Sequence, residues 1–262
     1  MPKSLNKVIV FDLDETIGHF EEVAIFLSGL QSIMGKNQIP DKYLVKLLNL
    51  YPGFFRVGIM NIFKTLVHEK KKNPNLKVVI YTNNMGPRSW TLLIEKYINK
   101  KLKYKLFDKV ITAYRLHEKY NYRTTHDKTH YDLVKTTGYN TKETRFLFID
   151  DQSHPGMIHP NITYLKVRPY IYVIPFHQMI NMFVNSKNGY IIPAKDKIKF
   201  KKSLYQYMTN VSSFNNYNTS QTKITKKGHK QMYMIKIKLN DFLNIKKTRK
   251  RKNHNTRKIA RK

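Results

Sequence analysis

The apolar run Val8-Ile9-Val10-Phe11, followed directly by Asp12-Leu13-Asp14-Glu15-Thr16, constrains this chain more than any other stretch. Its length and β-branched content are those of a strand buried on both faces, as strands of a parallel sheet are. Residues two apart on extended backbone point the same way, so Asp12 and Asp14 share one face where the strand ends. In an open α/β sheet, ligands bind outside the carboxyl ends of the strands. Two carboxylates there repel each other unless a cation or a proton lies between them. Taken alone, the stretch reads equally well as an acidic strand-to-loop turn.

The same pattern returns twice. Val78-Val79-Ile80-Tyr81 runs into Thr82-Asn83-Asn84, and Arg145-Phe146-Leu147-Phe148-Ile149 runs into Asp150-Asp151. Residues 107–113 and 162–167 offer two further strands. Helical spacing fills the intervals: Gly58 to Lys72 with Ile59, Ile62, Phe63 and Leu66 on one face; a helix opening at Pro87 with Trp90, Leu93, Ile94, Tyr97 and Ile98 inward; Lys128 to Thr137, closed by Gly138; and Pro175 to Asn185. Strands alternating with helices predict an α/β fold, a doubly wound parallel sheet. Its loops would bring Asp12, Asp14, Thr82, Asp150 and Asp151 to one edge.

Residues 19–54 interrupt this alternation as a small helical insertion. Val23, Phe26, Leu27, Leu30 and Met34 recur at helical spacing, and Asp41 reads as the cap of a second short helix carrying Leu44, Leu47 and Leu48. One folded domain is expected over residues 1–190, with residues 191–262 a basic, largely disordered tail. Lys195 to Lys262 hold 21 Lys and Arg against only Asp196 and Asp241, within a chain of net charge +32. The run from Lys246 to Lys252 carries six positive charges in seven residues, which reads as a nuclear-localisation signal or a contact to nucleic acid. The absence of cysteine excludes disulfides, thiolate zinc sites and a cysteine nucleophile. No apolar run reaches transmembrane length and no signal peptide opens the sequence, so an intracellular protein with no membrane partner is expected, in the nucleus, cytoplasm or a virion.

The four motifs together resemble the haloacid dehalogenase superfamily of phosphohydrolases. Asp12-Leu13-Asp14-Glu15-Thr16 is similar to its DxDx[T/V] motif, Thr82 to its Ser/Thr after a strand, Lys128 or Lys135 to its lysine near a helix start, and Asp150-Asp151 to its acidic pair. The spellings DLDET and FLFIDDQ most resemble the RNA polymerase II C-terminal-domain phosphatases and the NLI-interacting-factor-like group, in the texture of homologues encoded by large DNA viruses. Those phosphatases carry a β-type insertion after the first motif, whereas residues 19–54 read as helical.

The resemblance implies a HAD-like Rossmannoid fold and Mg²⁺-dependent phosphomonoester hydrolysis through an aspartyl-phosphate. Asp12 would be the nucleophile and Asp14 the general acid and base. Thr82, Asn83 and a lysine would bind the phosphate, with Lys128 chosen over Lys135 for its distance from Asp150. Asn84 is a further candidate beside Asn83. Asp12, the backbone carbonyl of Asp14, Asp150 and Asp151 would hold Mg²⁺. His154 and His159 lack a partner at metal-ligand spacing and read as loop or surface residues. Thr16 reads as a residue that steadies the turn. The implied substrate is a phosphoserine or phosphothreonine protein, such as an RNA polymerase tail-like phosphopeptide, with non-specific nucleic-acid binding through the tail. A polynucleotide phosphatase and a catalytically silent, nucleic-acid-associated protein of the same fold are the alternatives.

Overall fold

A computed structural model describes residues 5–35, 45–115, 123–212 and 226–245, with backbone only for 226–229. Five strands, β1 (Asn6–Phe11), β2 (Lys77–Tyr81), β3 (Lys109–Ile111), β4 (Thr144–Asp150) and β5 (Ile162–Lys166), form one sheet in the order β3-β2-β1-β4-β5. Every pairing is parallel. The fold is therefore α/β and Rossmann-like, as the alternation of strands and helices predicts. β1 lies at the centre, and the strand order reverses between β1 and β4. The crevice at such a reversal is where open parallel sheets bind ligands.

The apolar runs are continuous because both faces of the sheet are covered. Ile9, Phe11 and Leu147 face one core; Val8, Val10, Val79, Phe146 and Phe148 face another. Phe11 pairs with Ile80 on one side and Ile149 on the other. That register carries Asp12 and Asp150 to the same level at the carboxyl edge, with Thr82 one residue beyond it on the neighbouring strand. The backbone N–H of Asp12 donates to Ile149 O at 2.9 Å, and that of Thr82 to Ile111 O at 2.9 Å.

The helices are α1 (Glu21–Met34), α2 (Ile59–Lys72), α3 (Arg88–Leu102), α4 (His130–Thr137), α5 (Phe176–Val184), α6 (Lys197–Val211) and α7 (Lys226–Leu243). The insertion is helical as expected: α1 is followed by single 3-10 turns at Leu48–Leu50 and Pro52–Phe54. Leu47 and Leu48 are buried; Asp41 and Leu44 lie outside the described residues. None of the described helices is long and apolar enough to cross a membrane.

Two expectations need correction. The first is the boundary near residue 190. α6 buries Phe200, Leu204 and Met208, four residues apart, against α1 and α5. α7 buries Ile235 and Leu239 completely. Residues 191–262 are thus not a largely disordered tail throughout: a narrow apolar stripe docks each helix, and lysines between the stripe positions hide it in the sequence. The basic run Lys246 to Lys252 lies outside the described residues. The second is the start of α4. Thr129, not Lys128, precedes the first helical residue as the cap, its hydroxyl oxygen accepting from Asp132 N at 3.0 Å. Lys128 stands in the loop before the helix.

Candidate active site

Asp12 follows β1, Asp14 sits in the turn after it, Thr82 follows β2, and Asp150 ends β4. Asp12, Asp14, Asp150 and Lys128 surround a pocket of about 190 Å³ that Glu15, Asn83, Asn84, Asp151, Gln152 and His154 also line; Thr82 stands behind it, against Asp14 and Asn84. The side chains of Asp12, Asp150 and Asp151 are buried, and one carboxylate oxygen from each lies within 4.8 Å of the others. Lys128 is almost fully buried and reaches across the crevice. Its ammonium donates to Asp12 Oδ1 at 2.5 Å and to Asp150 Oδ2 at 2.7 Å. Lys135 points outward from α4, over the ring of Tyr131. The structure thus brings one of the two candidate lysines to the strand ends.

A close approach fixes Lys128 in place. Gly156 packs under its backbone, where a Cβ would come 2.9 Å from Lys128 O and from the Thr129 methyl. Real Cβ atoms do not approach so closely, so glycine is required there.

Asp14 lines the same pocket but stands outside the three-carboxylate cluster. Asn84 Nδ2 donates to Asp14 Oδ2 at 2.9 Å, and the Thr82 hydroxyl stands 3.5 Å from the same oxygen. Asn84 is aimed by its other end: its Oδ1 accepts from Gly86 N at 2.9 Å. Thr82 Oγ1 accepts from Asn84 N at 3.0 Å, which ties the loop to the end of β2. Asn83, the residue preferred from sequence, lines the pocket, but its amide oxygen accepts from Arg123 Nη1 at 2.7 Å. Asn84 is the one that meets Asp14.

The electrostatics divide the carboxylates. Burial pushes the Asp12 carboxyl up to about 8, with Asp150 and Asp14 adding to the effect and Lys128 opposing it. Burial also raises Asp14 above the ordinary carboxylate range, against its bonds from Asn84 and Thr82. Asp150 is buried too, yet its contacts to His154 and Lys128 outweigh desolvation and hold it below the usual value. One ammonium cannot neutralise three clustered carboxylates, so the cluster retains a proton near neutrality or takes a cation. Hard oxygen donors at this spacing fit a divalent metal ion.

Three supporting residues carry no periodic signal in the sequence. Arg56 is buried, donating through Nε to Thr16 O at 2.6 Å and through Nη2 to Arg168 O at 2.8 Å and to Glu15 O. It holds the turn in which Glu15 takes a left-handed φ of 56°, a conformation uncommon outside glycine. Burial lowers its guanidinium to about 10. Arg123, also buried, donates to Thr82 O at 3.2 Å and His126 O at 2.7 Å and lies over the Tyr81 ring. His154 lies in the loop after β4, as read from the sequence, but turned inward: its Nε2 is 3.2 Å from Asp150 Oδ2, on the wall of the pocket. His159 instead stacks on His130, with ring centroids 3.7 Å apart.

A search of protein-family models, of curated proteins and of solved structures finds no match to this chain.

Proposed function

We propose that this protein is a Mg²⁺-dependent phosphomonoester hydrolase working through an aspartyl-phosphate, and that its substrate is a phosphoserine or phosphothreonine protein. One observation carries the reading. Two carboxylates two residues apart at the end of the central strand have separate surroundings: Asp12 sits within the cluster of Lys128, Asp150 and Asp151, and Asp14 outside it, bonded to Asn84. That is a division between a nucleophile and a proton carrier.

Asp12 attacks phosphorus as the ester oxygen departs. Asp14, its pKa raised by burial, gives that oxygen its proton and then takes one from the water that cleaves the acyl phosphate. Lys128 and the Asn84 amide, both lining the pocket, would supply fixed donors to the charge that develops on the phosphoryl oxygens, and donors of this kind lower the barrier. Bound Mg²⁺ would be held by Asp12, Asp150 and Asp151 and would offset the repulsion between an anionic nucleophile and an anionic ester. Thr16 and His154 act through the carboxylates they touch and keep them in place.

A polynucleotide phosphatase is the second reading. The net charge of +32 favours it, as does a groove of about 660 Å³ beside Asp151 that Lys166, Arg168 and Lys230 line. Nuclear residence fits either reading through the basic run Lys246 to Lys252. Release of phosphate from an aryl phosphate, with Mg²⁺ and with EDTA, tests the reaction class. Turnover that needs Mg²⁺ and disappears in Asp12→Asn supports it; Mg²⁺-independent turnover, or none, refutes it.

A further inference from the structure

A second, larger groove opens from the catalytic pocket on the side of Asp14. Its volume is about 550 Å³, and it runs between α1 and the start of α3 towards Val211 at the end of α6. It shares Asp14, Glu15 and Asn84 with the catalytic pocket, so the two are one continuous surface. Asp14 is the proposed donor to the leaving oxygen. The groove it borders is therefore the one that receives the alcohol part of the ester and whatever is attached to it.

The charged side chains that line this groove are acidic, unlike the protein as a whole, with Arg115 at its edge on the carbonyls of Met85 and Gly86. Lys and Arg make up 49 of 262 residues, yet neither occurs among the described residues that line it. Asp14, Glu15 and Glu21 do. Glu15 is half-buried, its backbone held by Arg56 and Tyr170. Glu21 opens α1 at the rim. The Glu21 carboxyl is raised by partial burial and further by the nearby charges of Glu15 and Asp14, with His19 opposing. Beyond the acids the wall is mainly apolar, Trp90 included, with Ser28, Gln31 and Ser89 as polar members. Phe20 is buried behind Trp90, with ring centroids 6.3 Å apart, and the half-exposed indole faces the groove. Carboxylates at the mouth and an aromatic face below suit a side chain that has an aliphatic stem and a cationic head.

We propose that this groove holds the polypeptide on the leaving-group side of the phosphoester and selects a lysine or arginine beside the phosphorylated serine or threonine, its charge at Glu15 and Glu21 and its stem along Trp90. The proposal rests on the hydrolase reading above and names the substrate class for it. A polynucleotide would bring its next phosphate to the same glutamates, and like charges at that range repel. The groove therefore favours a basic phosphopeptide over a nucleic acid, although the chain as a whole would attract the nucleic acid.

The test uses the full chain and four probes: an aryl phosphate, a phosphoserine peptide flanked by lysines, the same peptide flanked by glutamates, and a terminally phosphorylated oligonucleotide. kcat/KM is measured for each, and peptide affinity is measured separately by fluorescence anisotropy on Asp12→Asn. The expected lysine preference is roughly tenfold in both readouts, the scale of one or two partly screened ion pairs. Glu21→Gln should shrink it and Glu21→Lys should reverse it. Turnover of the aryl phosphate without a lysine preference, a preference that Glu21→Lys leaves unchanged, or an oligonucleotide that outperforms the lysine peptide overturns this inference and leaves the hydrolase reading standing. Failure to turn over any of the four probes with Mg²⁺ overturns the hydrolase reading instead, and the anisotropy ratio still decides what the groove selects.

Discussion

Thr16 and Asp151 exchange two hydrogen bonds across 135 positions of sequence: the Thr16 hydroxyl donates to Asp151 Oδ1 at 3.0 Å and accepts from Asp151 N at 3.0 Å. A single buried side chain thereby joins the turn after β1 to the turn after β4, and with it the two halves of the carboxylate cluster. Thr16→Val keeps the shape and removes both bonds, leaving a buried carboxylate oxygen and a buried N–H short of a partner. The expected loss of stability is about 1–3 kcal/mol, with weaker metal binding. Thr16→Ser should retain most of both. Urea unfolding and Mg²⁺ titration of the two variants check this, and equal losses in Val and Ser would place the effect in the methyl group.

Lys128 and Lys135 separate on the same logic. Lys128→Ala strips the one ammonium that bridges Asp12 and Asp150 among the described residues. Breaking a buried ion pair from one side costs about 3–5 kcal/mol, and turnover should fall by orders of magnitude. Lys135→Ala should change stability by no more than about 0.5 kcal/mol, since its side chain is exposed. Thermal melts and aryl phosphate kinetics on both variants check the pair; a silent Lys128→Ala would remove that residue from the site.

The pH dependence follows from Asp12, whose carboxyl is raised from 3.8 to about 8 by burial. Between those values the native protein binds more protons than the unfolded chain, so unfolding free energy falls as pH rises. A divalent cation competes with that proton, and its binding should release the proton near neutrality. The protein in EDTA should melt lower at pH 8 than at pH 5, and stabilisation by Mg²⁺ should grow over the same interval. Melting curves at the two pH values, with EDTA and with Mg²⁺, measure both. Stabilisation independent of pH would mean that the cation and the proton do not share Asp12.

α7 offers a test far from the chemistry. Leu239 is fully buried among core residues, so Leu239→Ala should cost about 2–5 kcal/mol. Removing residues 246–262 should leave the melting temperature and aryl phosphate turnover unchanged. Stability that is insensitive to Leu239→Ala would restore the view of this region as an unattached tail.

Much of the sheet was legible because its strands are buried on both faces. Runs such as Val8 to Phe11 and Phe146 to Ile149 admit few other structures, and the polar residues that end them mark the site. Side chains whose partners lie in distant loops were less legible. Arg56 and Arg123 bond to backbone carbonyls through long-range contacts that no spacing encodes. Asn83 and Asn84 differ by one position, and only the turn anchored at Gly86 decides which amide meets Asp14. The helices of the C-terminal region escaped notice because three buried residues in fifteen, as in α6, are a thin stripe among lysines. The groove beside α1 escaped because its character lies in missing lysines, drawn from segments far apart in the chain.

The central claim is that Asp12 carries the phosphoryl group during turnover. The most direct measurement is acid quench of the protein turning over a phosphomonoester with Mg²⁺, followed by peptide mapping of the acid-stable, hydroxylamine-labile phosphoryl group. The account expects that group on the peptide containing Asp12, accumulation of the label in Asp14→Asn, where hydrolysis of the acyl phosphate lacks its base, and no label in Asp12→Asn. Turnover with no labelled protein, or a label that persists in Asp12→Asn, would contradict it.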